Sequence, residues 1–104
     1  MRGEVWDVKF PAPVNEHPAV VLSANALRLR SASVTVVLIT GTEGPEQTHV
    51  ALDTDAGVSR YAVSYANATD LHTVPTARLR HRRGLLSASE MATLEAAVRL
   101  ALDL

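Results

Sequence analysis

The chain has 104 residues, 47% of them apolar and 20% charged, with a formal net charge of −1. That balance describes one globular domain with a single core, and excludes a disordered segment or a uniformly basic coat for nucleic acid. With no cysteine, disulfides, thiolate nucleophiles and sulfur-ligated metals are excluded as well.

In chain order, the first element alternates. Trp6, Val8 and Phe10 share one side and Asp7 and Lys9 the other, which is the period of a half-buried strand. "PAPVNEHP" must then turn, because it carries Pro11, Pro13 and Pro18. "AVVLS" (19–23) and "VTVVLIT" (34–40) are short β-branched runs that read as buried strands. The polar connector "ANALRLRSAS" between them holds Arg28 and Arg30. "GTEGPEQ" (41–47) is a turn-rich loop, "THVAL" (48–52) a strand and "DTDAG" a turn. Beyond it the sequence predicts a strand over 61–66 and a short one over 71–74. A single helical turn follows over 75–79, and "LRHRRGLL" closes the sheet. In "SASEMATLEAAVRLAL", Ser87 and Glu90 have capping-box spacing. Met91, Leu94, Val98, Ala101 and Leu102 recur on one helical face. Strands first and one terminal helix give a β-rich fold: a small, mostly antiparallel barrel or curled sheet with a helix packed on it. One domain is expected over 1–104, with the barrel over about 1–86 and the helix over about 88–102.

The histidines His17, His49, His72 and His81 have no metal-ligand spacing, and there is no nucleophile elbow, Walker loop or dinucleotide fingerprint. Neither a metal nor a cofactor is expected. His49 reads as a packed or surface residue, and Trp6, Tyr61 and Tyr65 as core, with base stacking the alternative. Arg78, Arg80, Arg82 and Arg83, with His81 among them, form either a phosphate-binding strip or a charged edge that discourages strand pairing. Phosphate binding of the double-stranded DNA kind fits poorly with the net charge and the lack of a recognition helix. "MRGEVWDVKF" has no signal-peptide apolar region, and no apolar run approaches the ~20 residues of a membrane span. A cytoplasmic chain with no membrane partner is expected.

Two positions stand out. His17 precedes Pro18, which holds it extended at the entrance to a buried strand. Thr40 ends the strongest strand where the chain enters the 41–47 loop, and strand ends and their loops gather functional groups.

"RGEVWDV" (2–8), "HPAVVLS" (17–23), "VTVVLITGT" (34–42), "THVAL" (48–52), "DLHTVPTARL" (70–79) and the terminal "LSASEMATLEAAVRLAL" occur in this order along nearly the whole chain. Together they resemble the PemK/MazF family of type II toxin–antitoxin toxins. The resemblance implies an SH3-like barrel with a C-terminal helix, a homodimer, and a sequence-specific endoribonuclease that cleaves single-stranded mRNA without a metal. It implies 2′,3′-cyclic phosphate and 5′-hydroxyl ends, and a cognate antitoxin whose disordered acidic C-terminal segment occupies the toxin's groove.

Carried over by position, the family's catalytic threonine falls on Thr40, whose hydroxyl would donate to a phosphoryl oxygen. The family's catalytic arginine falls on His17. Imidazole exchanges a proton near neutrality, but lacks the permanent charge and bidentate fork of arginine. Arg28 or Arg30 would have to supply the missing charge. RNA recognition is expected from loops 10–18, 24–33 and 41–47, through Glu16, Asn25, Arg28, Arg30 and Thr42. Asp70 and His72 are expected along the same groove. The competing reading is a catalytically attenuated or non-enzymatic module of the same fold that binds antitoxin. A gyrase inhibitor like the CcdB toxins is a weaker variant, because "LALDL" lacks their Trp-Gly-Ile-like ending.

Overall fold

The computed structural model describes residues 2–25, 32–58 and 61–104, and the backbone of Thr54. Arg28 and Arg30 lie outside the described residues. Six strands are described: β1 (Glu4–Lys9), β2 (Glu16–Val21), β3 (Ser33–Thr40), β4 (His49–Leu52), β5 (Ser64–Pro75) and β6 (Leu79–Leu85). A 3₁₀ turn follows β4 at Thr54–Ala56 and another, Thr76–Arg78, joins β5 to β6. The helix α1 (Ala88–Leu102) ends the chain. The strands form one antiparallel sheet in the order β4-β5-β3-β2-β1-β6.

The central strands are buried on both sides, which is why they read as unbroken apolar runs rather than alternations. Val5, Val20, Val37 and Ile39 pack on one side with Leu86, Leu94, Ala97 and Val98 of the helical segment. Val8, Ala19, Val21, Val34, Val36 and Val74 pack on the other. Trp6 and Phe10 lean on that second cluster, as their alternation with Asp7 predicts.

Two contacts show how far the sheet curls. Phe10, just past β1, meets His72 of β5 edge to face, with ring centroids 5.4 Å apart. In a flat sheet β1 and β5 stand three strand spacings apart, roughly 14 Å. The second contact joins the two edges. Gly57, past the 3₁₀ turn that follows β4, has φ +76° and lies against the backbone of Arg83 in β6, leaving no room for a Cβ. The barrel therefore closes by loop-to-edge packing. Edge strand β6 carries two register shifts against β1, with Arg80 and Arg83 as the extra residues. Bulges and charge on an edge hinder pairing with a second sheet. Arg82 is paired with Glu4 at 2.8 Å, and Arg83 with Asp7. The hydrogen bond that Arg83 donates to Asp7, and then the charge of Asp7, raise the already high pKa of Arg83. Half of the arginine run thus ties edge to neighbour.

Two sequence expectations are corrected here. The strands expected over 61–66 and 71–74 are one continuous strand, β5, starting at Ser64. Asn67 Oδ1 accepts from the Thr69 amide (3.0 Å) and hydroxyl (2.6 Å), and the register with β3 slips between Ile39↔Ala66 and Val37↔Leu71. Across this irregularity the alternation changes sides: Ala66 and Ala68 lie in the first cluster, yet Leu71 also packs on it and Val74 lies in the second. In α1 the capping box forms as expected, but Ala101 and Leu102 are exposed, and Ala97 is buried in their place. The helix packs on β4 and β5, and its last turn runs past them.

Candidate active site

β1 and β2 pair in a register that sets Val8 against His17 and Lys9 against Glu16. β2 and β3 pair from Val21↔Val36 to Ala19↔Leu38. Continued by two residues, that register puts Pro18 against Ile39 and His17 against Thr40. Pro18 has no amide proton to offer Ile39. The His17 side chain takes up the Ile39 carbonyl instead, with Nε2 at 2.7 Å.

A carbonyl oxygen only accepts, so Nε2 carries the proton and donates. The neutral ring then has its lone pair on Nδ1. The half-buried imidazole is fixed in rotation and tautomer by this single bond, one residue from Thr40. Thr40 Oγ1 accepts from the Thr42 amide at 3.1 Å, which forms the turn out of β3. Its hydroxyl proton remains available to donate. One nitrogen lone pair and one hydroxyl donor thus sit on adjacent strand ends, where β2 begins and β3 ends.

Asp70 and His72 are joined at 2.7 Å on β5, both about half exposed. His72 lies opposite Val36 and touches Phe10, so the pair occupies the same face of the curled sheet as Val8 and His17. Thr42 is exposed beside Thr40. Glu16 alternates with His17 and faces the other side. There it lines a groove of about 440 Å³ with Asp7, Pro18, His81 and Arg83. Asn25 lies beyond the opposite end of β2, where its Oδ1 accepts from the Arg2 amide at 2.7 Å. The structure thus gathers His17, Thr40 and Thr42, sets Asp70 and His72 along the same face, and places Glu16 and Asn25 elsewhere.

Two cations stand at this end, of which the sequence offered Arg78 as part of a phosphate-binding strip. Lys9 closes β1 opposite Glu16, and Arg78 donates to the Lys9 carbonyl at 3.4 Å. The destination of Arg78 is set by the β1–β6 ladder, in which Val8 faces Leu79 and the next pair is Lys9 and Arg78. Trp6 Nε1 donates to Glu4 at 3.2 Å, with its ring half-buried against the core. Among the described residues, no group of three or more His, Asp or Glu is arranged to hold a metal ion.

The family model of the PemK-like, MazF-like toxins of type II toxin–antitoxin systems matches residues 1–102. The chain belongs to this family. It is 34% identical to the endoribonuclease MazF9 of Mycobacterium tuberculosis over 113 aligned positions, which cover 99% of this chain and 96% of that one. Among solved structures, a mycobacterial endoribonuclease in complex with its cognate antitoxin is 25% identical. It superposes with a TM-score of 0.87, covering all of this chain and 95% of the other. The Mycobacterium tuberculosis toxin MazF-mt6 is 26% identical, with a TM-score of 0.85 and 97% of each chain covered. The expected family and its barrel-and-helix architecture are therefore borne out. Among the described residues, no helix is long and apolar enough to cross a membrane.

Proposed function

We propose that this toxin is a sequence-specific endoribonuclease in which His17 and Thr40 carry the cleavage of single-stranded RNA. The observation that supports it best is the bond from His17 Nε2 to the Ile39 carbonyl, which frees Nδ1 beside the Thr40 hydroxyl. RNA supplies its own nucleophile. Nδ1 takes the proton of a 2′-hydroxyl, and the 2′-oxygen attacks the adjacent phosphorus. The bond from phosphorus to the 5′-oxygen breaks, and water protonates the leaving oxygen on the far side of the in-line displacement. The products are a 2′,3′-cyclic phosphate and a 5′-hydroxyl, with no metal in the step.

The Ile39 carbonyl is a favourable partner for the imidazolium that forms. Thr40 donates to a non-bridging oxygen as charge builds on it, a kind of contact worth roughly 3 kcal/mol. Arg78, anchored on the Lys9 carbonyl at the same end of the sheet, supplies part of the positive charge that the family arginine would bring. Thr42, Asp70 and His72 flank the RNA, because unpaired bases expose the edges that sequence readers need.

A mycobacterial endoribonuclease solved with its cognate antitoxin supports an antitoxin partner, and the family resemblance carries the remaining assignments. These are a homodimer, a disordered acidic segment in the cognate antitoxin, and action in the cytoplasm. The test is incubation of purified protein with a long RNA in EDTA, with the cut ends mapped. Discrete cuts that fade in His17→Ala and Thr40→Ala support the assignment. Antitoxin capture without any cut favours the non-enzymatic reading.

A further inference from the structure

The loop that begins at Thr40 is fastened at its far end by a set of contacts that the cleavage step does not use. The Pro45 carbonyl accepts from the amides of Thr48 (3.1 Å) and His49 (2.9 Å) and from the Thr48 hydroxyl (3.3 Å). That hydroxyl directs its proton to Pro45, so its oxygen accepts from His49 Nδ1–H at 2.9 Å. The imidazole is thereby held in one rotation, and Gly44 lies flat upon it. A Cβ at residue 44 would press into the ring, standing 2.7 Å from Nδ1. Thr42, two residues before Gly44, gives its amide to Thr40 Oγ1.

We propose that His49 is a positioning residue for Thr40. Its fastened ring is the plate on which the 41–47 loop is seated, and through the Thr42 amide that seating aims the Thr40 hydroxyl. The proposal rests on the role given to Thr40 above. Direct action of His49 on RNA is disfavoured by its surroundings. The hollow of about 450 Å³ beside the ring is lined by Glu43, Glu46 and Glu90, and three carboxylates repel a phosphate. His49 therefore works through the chain. An ångström of misplacement at a reacting group can lower a rate by as much as 10²-fold, so a displaced loop has a measurable cost.

The experiment is a set of double-mutant cycles. The probe is a short fluorogenic RNA spanning the main cut made by the unmodified chain, followed in long single-turnover runs. His49→Ala and Gly44→Ala should each lower the rate on the order of tenfold, with the half-saturating protein concentration within about twofold of the original. His49→Asn, which keeps a donor near the place of Nδ1, should recover part of the loss. In a Thr40→Ala background, the His49 and Gly44 substitutions should change the rate by less than about twofold, because the group they aim is gone. Equal losses in both backgrounds would overturn the positioning role while leaving Thr40 in place. Full activity in Thr40→Ala would instead overturn the cleavage assignment itself. Where thermal melting shows that His49→Ala has lost its fold, the Gly44→Ala cycle decides alone.

Discussion

Histidine at residue 17 changes what the site can do with protons. An imidazole acting as base works in its neutral form, so cleavage should rise with pH along an acid limb. His17→Ala should lower the rate on the order of 10²-fold and remove that rising limb. Thr40→Ala should cost a similar factor and leave the limb in place, since a hydroxyl donor does not titrate there. His17→Arg should stay active and flatten the profile, because a guanidinium holds its charge throughout. Initial rates over a pH series for the four chains check all three statements. At this scale the sequence was informative about identity and silent about orientation. The His-Pro pair and the strand-ending threonine were visible. The use of Nε2 on Ile39 depends on where the β2–β3 ladder stops, and no local pattern reports that.

Among the elements, the last helix carries the most weight for its length. Leu94 is fully buried between α1 and the sheet, and Leu94→Ala should cost about 3 kcal/mol. Glu90 is the unusual member, a carboxylate only 8% exposed. One oxygen accepts from the Ser87 amide at 2.8 Å and the other from the Asp53 amide at 2.8 Å. The capping box thus also pins the chain just past β4. Ser87→Ala should cost about 1 kcal/mol and Glu90→Ala about 2 kcal/mol or more, because two amides lose their acceptor. Urea titrations of the three variants check the order. The capping box and β1 were legible from their spacing, and β3 as a short β-branched run. β5 was not, because past Asn67, whose Oδ1 accepts from Thr69, its alternation changes sides. Ala101 and Leu102 continue the helical period after the sheet beneath them has ended.

For the whole molecule, the curl of the sheet decides what meets what. It brings Phe10 to His72 and Gly57 to the β6 edge. Neither contact joins neighbours in sequence or in strand order, so only the barrel as an expected whole, and not its closing contacts, was legible. Gly57→Ala should lower stability by more than 1 kcal/mol, through positive φ and the clash with Arg83. A lower urea midpoint at unchanged slope would show it. The same closure gathers the His17 nitrogen, the Thr40 hydroxyl and the Asp70–His72 pair on one face, as an RNA-cleaving toxin requires. The most direct test of that account is the chemistry of the ends left on a long RNA cut in EDTA. The account predicts discrete cuts with 5′-hydroxyl and 2′,3′-cyclic phosphate ends, lost in His17→Ala. Cleavage that needs a divalent metal, 5′-phosphate ends, or undiminished cutting by His17→Ala would contradict it.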